Sequence, residues 1–267
     1  MKQHKINGIN VIEHGDSKNQ TIIFIHAFPL CNRMWDSQVE ALKNDYRIIV
    51  YDNRSFGYSE DDSGSLTIDT HADDLFSVIE ELKINKPVIC GLSMGGYIAL
   101  RALERNSSLF KAVILCDTRS LADDNAGKLK RFEQIKQIKH GGREEYVEEL
   151  LKNLISPKTL NGNSEKQKIV GFIKEIASWQ KDSAIAGALL TMAARTDTTD
   201  SLVNVNMPAL IIVGADDKFT PESPSRLMNE KLKGSVLKII PDAGHFANIE
   251  NSEAFNKEFI EFLKGLK

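Results

Sequence analysis

Cysteine is scarce in this chain. Cys31, Cys90 and Cys116 are an odd number at wide spacing, with no C-x-x-C pair for zinc or redox chemistry. Cys90 and Cys116 sit inside apolar runs, the usual setting of a small buried hydrophobe. An excess of charge is lacking too. Thirty-four basic residues stand against 37 acidic ones, a net charge of −3. That balance gives no electrostatic reason to expect nucleic acid or an anionic membrane surface as partner. No stretch reaches the ~20 apolar residues of a membrane span, and the start, MKQHKINGINVIEHG, has no apolar core of signal-peptide length. The expectation is a soluble, cytoplasmic protein. Internal repeats, low-complexity tracts and proline-rich linkers are also missing. What is present is an ordinary globular balance over 267 residues, 42 % hydrophobic and 27 % charged. A chain of this size buries roughly 70–75 % of its unfolded surface and needs neither disulfides nor metals to hold it.

Short β-branched runs alternate with longer amphipathic segments, the pattern of a parallel sheet covered by helices on both faces. The strand candidates are Ile22–His26, Arg47–Tyr51, Pro87–Gly91, Lys111–Cys116, Ala209–Val213 and Val236–Ile240. They are nearly continuous in Val, Ile and Leu, as strands buried on both faces should be. Lys5–His14 alternates and carries a glycine, which predicts an antiparallel hairpin at the sheet edge. Thr67–Leu82 and Ser252–Leu266 have helical spacing. Between Arg119 and Asn206 no strand-like run occurs. One apolar stripe there is Leu129, Phe132, Ile135 and Ile138, and a second is Val147, Leu150, Leu151 and Leu154. A third is Ile169, Phe172, Ile173 and Ile176, before a long apolar segment from Ser178 to Ala194. About four helices between two strands predict a cap over the strand ends. The expected organisation is a core of residues 1–118 and 207–267 with a helical cap, residues 119–206, inserted in it.

The most informative residues are Gly91-Leu92-Ser93-Met94-Gly95, directly after an apolar strand candidate and directly before a helical segment. A G-x-S-x-G sequence in that setting is a nucleophile elbow. The chain reverses within one residue, the serine takes a strained backbone conformation, and the flanking glycines avoid a Cβ clash. The helix starting there turns free N–H groups and its positive dipole end toward any negative charge that forms at the serine. A serine hydroxyl needs a base and a group to orient that base. Of six histidines, His245 follows the last strand candidate, in Pro241-Asp242-Ala243-Gly244-His245-Phe246, and so belongs at the strand edge where ligands bind in parallel sheets. The acid should follow the Ala209–Val213 strand, in Gly214-Ala215-Asp216-Asp217-Lys218. Adjacent side chains cannot both point at the imidazole, and Asp217 is preferred over Asp216. Asp117, at the end of its strand, is a third candidate. The chain order Ser, Asp, His is the one expected of this elbow.

With these residues in place the chain resembles the α/β-hydrolase fold superfamily over almost its whole length. The matching stretches are His26-Ala27-Phe28-Pro29, Asp52-Asn53-Arg54-Ser55-Phe56-Gly57-Tyr58-Ser59, the Ser93 elbow, Gly214-Ala215-Asp216-Asp217 and Gly244-His245. The resemblance implies a mostly parallel eight-stranded sheet flanked by helices, with a helical cap, and it supports Asp217 as the acid. It implies an oxyanion hole made by the backbone N–H groups of Phe28 and Met94, with His26 bracing the Phe28 loop. Two residues depart from the pattern: Ala27 and Ser55 stand where glycine is usual, and the added Cβ at Ala27 restricts positive φ and predicts a shifted oxyanion loop.

The reading that follows is a serine hydrolase for a small, largely apolar carboxylic ester, with Ser93 as nucleophile, His245 as base and Asp217 as orienting acid. No metal or organic cofactor is required, and a small-molecule ester is the expected partner. Trp179 and Phe246 are expected to line the pocket between cap and sheet, together with Met192 and Phe132. The same residues serve several rivals: an enol-lactonase, a C–C bond hydrolase of the meta-cleavage type using Arg195 or Arg119 for a carboxylate, a cofactor-free perhydrolase, or a ligand receptor built on a slow hydrolase.

Overall fold

The computed structural model describes residues 1–61 and 66–266. The core range expected above therefore includes five residues, 62–65 and 267, that lie outside the described ones. Eight strands form one sheet: β1 (Lys2–Ile6), β2 (Ile9–His14), β3 (Thr21–Ile25), β4 (Arg47–Tyr51), β5 (Val88–Leu92), β6 (Ala112–Cys116), β7 (Ala209–Gly214) and β8 (Val236–Ile240). Their order is β1-β2-β4-β3-β5-β6-β7-β8, with β2 antiparallel to both of its neighbours and every other pairing parallel. This is an α/β-hydrolase fold, as the motifs imply. The hairpin begins at Lys2, earlier than the alternation suggests, and turns at Asn7 and Gly8, both at positive φ (46° and 84°). All residues of β3, β4, β5, β6 and β7 are buried. The β8 edge is half open, with Val236 and Ile239 exposed.

The helices are α1 (Asp36–Leu42), α2 (Ile68–Glu81), α3 (Met94–Asn106), α4 (Asn125–Lys139), α5 (Arg143–Leu154), α6 (Pro157–Leu160), α7 (Ser164–Ser178), α8 (Asp182–Ala194), α9 (Glu222–Lys231), α10 (Ala247–Glu250) and α11 (Ser252–Gly265). Five of them, α2, α4, α6, α7 and α11, start with a side-chain cap that the sequence supplies in place. Thr67 Oγ1 accepts from Thr70 N at 3.0 Å, and Asp124 Oδ1 accepts from Gly127 N at 2.7 Å; such caps contribute about 1 kcal/mol each. One sheet face packs under an aromatic stack in which Phe24 meets Trp35 at 4.8 Å and Phe259 at 5.5 Å between ring centroids. The opposite face carries α2 and α3, which pack together.

All of α4 to α8 falls between β6 and β7. Here one expectation is corrected. The Leu129–Phe132–Ile135–Ile138 stripe is split: Leu129 is 64 % exposed and Phe132 39 %, while Ile138 is buried, Ile135 packs partly buried against the core, and Arg131 turns inward with them. Ion pairing decides this orientation. Arg131 Nε meets Asp123, a carboxylate buried just before α4, and that bond draws a charged face inward.

Candidate active site

Ser93 sits between β5 and α3 at φ 53°, ψ −112°, a region that L-residues enter only under constraint. The constraint is visible in the flanking glycines. A Cβ on Gly91 would lie 2.2 Å from Gly95 O, and one on Gly95 would lie 2.2 Å from Ile25 O. The turn is tied to β6 by Ser93 N donating to Cys116 O (3.0 Å) and by the Thr118 hydroxyl donating to Ser93 O (2.8 Å). Met94 begins α3, so its N–H has no partner within the helix. Phe28 lies just past β3, and among the described residues its N–H meets no acceptor.

The Phe28 loop is braced from beneath. His26 Nε2 accepts the Asn53 N–H (2.8 Å), so Nδ1 carries the proton and donates to Ala27 O (2.9 Å). Burial pushes the His26 pKa down and keeps this ring neutral, in a structural role. Ala27 is absent from the positive-φ positions, so its Cβ imposes no backbone strain; its N–H points at the Met34 sulfur (3.1 Å). Ser55, the other departure from glycine, does stand in the left-handed region at φ 74°.

His245 Nδ1 lies 2.8 Å from Asp217 Oδ2, and both side chains are almost wholly buried. A carboxylate can only accept, so the proton is on Nδ1 and the Nε2 lone pair faces away from the acid. Asp217 is held in turn by Phe219 N (2.8 Å) and Thr220 N (3.0 Å) on Oδ1 and by the Thr220 hydroxyl (2.6 Å) on Oδ2. Burial pushes the Asp217 carboxyl up, but the His245 charge, then the hydrogen bonds from His245 and Thr220, outweigh it and leave the pKa below the usual value. Asp216 is exposed. Asp117, at φ 44°, spends Oδ1 on Gly214 N (2.7 Å) and is not bonded to the imidazole. Burial, then the charge of Asp217, pushes its carboxyl well above the usual range.

Two further residues fix this corner, and no motif pointed to either. Thr220 closes the turn around Asp217. The buried Glu250 accepts Ser156 N (2.9 Å) on Oε2, and Gly244 N (3.1 Å) and Phe246 N (3.4 Å) on Oε1. That carboxylate ties the His245 loop to the α5–α6 junction, where His245 N also donates to Leu154 O (2.8 Å).

Ser93, His245 and Phe28 line one cavity of about 170 Å³. Tyr146, Leu150, Leu154 and Met192 give it an apolar side. Charged residues line it as well: Arg119, Lys130 and Arg131 face it together with Asp123. Asp123 receives Arg131 Nε, an Arg119 Nη at 2.5 Å and Arg195 Nη1 at 3.0 Å. Burial raises its pKa, but the hydrogen bond from Arg131 and the charges of all three arginines bring it below the usual value. Of the residues expected to line a pocket, Met192 does; Trp179, Phe246 and Phe132 do not. Trp179 is 44 % exposed against Tyr58 at 4.7 Å, and Phe246 is fully buried beside the His245 ring at 5.6 Å. Among the described residues no group of three or more His, Cys, Asp or Glu is arranged to hold a metal ion, and no helix is long and apolar enough to cross a membrane.

A serine on a strained turn at the end of a central parallel strand, under helices inserted between β6 and β7, defines the α/β-hydrolase class. The model of the alpha/beta hydrolase family matches residues 22–258, and the chain belongs to that family. A protein of Synechocystis sp. provisionally named non-heme chloroperoxidase is 30 % identical, with 92 % of this chain and 91 % of that one covered. The 3-oxoadipate enol-lactonase 1 of Acinetobacter baylyi is 26 % identical over 97 % of this chain and 94 % of its own. Among solved structures, a thermophilic esterase from Thermogutta terrifontis matches with a TM-score of 0.93 at 29 % identity, covering 100 % of this chain and 99 % of that one.

Proposed function

We propose that this hydrolase cleaves a carboxylic ester or lactone through an acyl-enzyme on Ser93. One observation carries the reading: Ser93 and His245 line the same cavity, and Asp217 holds His245 Nδ1 at 2.8 Å, leaving Nε2 as the base. Ser93 Oγ attacks the acyl carbon as Nε2 takes its proton, and the N–H groups of Phe28 and Met94 receive the oxyanion. Each such donor is typically worth about 3 kcal/mol of barrier. His245 returns the proton to the leaving alkoxide, then takes one from water as that water attacks the acyl carbon and frees the acid. Residues 119–206 act as the cap that shapes the pocket, and the partner is a small molecule. The names of the relatives, esterase and enol-lactonase, agree with acyl transfer from oxygen. The C–C hydrolase and perhydrolase readings use the same three residues; the first differs in the bond placed over Ser93, the second in hydrogen peroxide replacing water as the group that takes the acyl from Ser93.

Hydrolysis of p-nitrophenyl esters of increasing acyl length, run beside Ser93→Ala, tests the proposal. Turnover that favours short chains and vanishes in Ser93→Ala supports it. Turnover that survives in a folded Ser93→Ala protein removes Ser93 from the chemistry.

A further inference from the structure

The cavity beside Ser93 is not electrostatically neutral. Arg119, Lys130 and Arg131 face it against one carboxylate, Asp123. Asp123 is itself met by three guanidinium groups, the third from Arg195, so it balances at most one of them. Arg195 is committed elsewhere: it donates to Met192 O and Leu121 O, both at 2.8 Å, and lies over the Tyr97 ring at 4.1 Å. Its remaining polar contact among the described residues is the one with Asp123, at 3.0 Å. Arg119 is held by one Nη, and its Nε is buried without an acceptor among the described residues. A buried N–H left without a partner is costly, and a single carboxylate leaves much of the positive charge beside Ser93 uncompensated.

We infer that Arg119, Arg131 and Lys130 form an anion subsite, and that the substrate is an ester or lactone bearing a free carboxylate a few methylenes from the scissile carbonyl. The inference rests on the hydrolase reading for its chemistry, but the subsite stands on its own geometry. A planar guanidinium matches a carboxylate through paired N–H donors, and Asp123 already takes N–H donors from two of these arginines within the cluster. The apolar lining supplied by Leu150 and Leu154 suits the methylenes. Cavities near 150 Å³ hold a molecule of roughly benzene size, so one of about 170 Å³ limits the enclosed part of the substrate to a short chain. Asp123 keeps the arginines apart and aimed when no substrate is bound, because a single carboxylate bridges all three.

The test separates binding from turnover. In Ser93→Ala protein, glutarate, dimethyl glutarate and inorganic phosphate are titrated by calorimetry. Glutarate should bind at least tenfold more tightly than the neutral diester and than phosphate. Arg119→Gln in that background should weaken glutarate about ten- to a hundredfold, the usual worth of a charge-assisted hydrogen bond. Lys130→Gln, at an exposed position that does not endanger folding, should weaken it by a smaller factor, and raised salt should weaken it further. Equal binding of the diester, equal binding of phosphate, or indifference to both substitutions overturns the subsite. In wild-type protein, kcat/KM for monomethyl glutarate should exceed that for the diester. If glutarate binds as described but neither ester turns over, the subsite holds and the ester reading fails. If the diester turns over at least as well and glutarate does not bind, the hydrolase reading holds and the subsite fails.

Discussion

Replacing Asp217 by asparagine exchanges one oxygen for an amide nitrogen and removes the negative charge, and its cost can be worked from the hydrogen bonds around it. Oδ1 accepts two backbone N–H groups, from Phe219 and Thr220, so the amide oxygen of the asparagine must take that position to avoid donor facing donor. The amide NH2 then replaces Oδ2, opposite His245 Nδ1 at 2.8 Å. It can only donate, so His245 must accept there and carry its proton on Nε2. That tautomer faces Ser93 with an N–H in place of a lone pair. The loss is also electrostatic, since the imidazolium formed on attack no longer has a carboxylate beside it. The same exchange in a serine protease lowers kcat about 10⁴-fold, which corresponds to roughly 5.5 kcal/mol of barrier. We expect a fall of that order in kcat for p-nitrophenyl acetate at pH 7.5, with unfolding in urea nearly unchanged because the substitution is isosteric. Asp216→Asn, one residue away and exposed, should leave kcat within twofold. An Asp217→Asn protein that keeps more than a tenth of wild-type kcat would refute the tautomer reasoning.

Three further outcomes can be checked with little extra material. Gly95→Ala places a Cβ 2.2 Å from Ile25 O, so the elbow must distort; soluble protein should fall steeply or ester turnover should be lost, and an active, stable variant would show that the turn tolerates a Cβ. Glu250→Ala leaves the N–H groups of Ser156, Gly244 and Phe246 without their acceptor and should cost about 3 kcal/mol in urea unfolding while also slowing turnover through the His245 loop. His71 is wholly buried, with both ring nitrogens unpartnered among the described residues; burial, then the repulsion a protonated ring would meet from His26 and Arg54, lowers its pKa to about 3. The unfolded chain therefore takes up a proton below about pH 6.5 that the folded protein refuses, so this residue's contribution is intact above that pH and is lost as pH falls toward 3. Between pH 7 and pH 5 the wild type should lose about 2 kcal/mol more than His71→Leu does, and equal losses in both proteins would contradict the assignment.

The strands were legible because parallel strands buried on both faces must be apolar throughout, and Ile48–Ile49–Val50 or Val113–Ile114–Leu115 carry no competing signal. The elbow was legible for a different reason: Gly91 and Gly95 have steric duties that nothing with a Cβ can perform. Where the reading departed, the cause was long-range polar pairing. The α4 stripe of Leu129 and Phe132 has helical spacing, yet a pair between Arg131 and Asp123 sets which face turns inward. Arg119 and Asp123 are four apart and could be paired from sequence, but Arg195 joins them across about 70 residues and could not. Trp179 and Phe246 are expected to line the pocket, yet one stands on the surface against Tyr58 and the other is buried beside the His245 ring. Thr220 left a faint trace, a hydroxyl three residues after Asp217 in a turn, whereas Glu250 left none, because its three partners come from distant parts of the chain or from backbone alone.

The central claim is that Ser93 is the activated nucleophile, and covalent trapping addresses it most directly. A fluorophosphonate incubated with native protein at pH 7.5 should attach at one to one stoichiometry, and peptide mass spectrometry should place the adduct on Ser93. His245→Ala should slow that labelling by several orders of magnitude. Adduct on another residue, or labelling of Ser93 at the same rate without His245, would contradict the account.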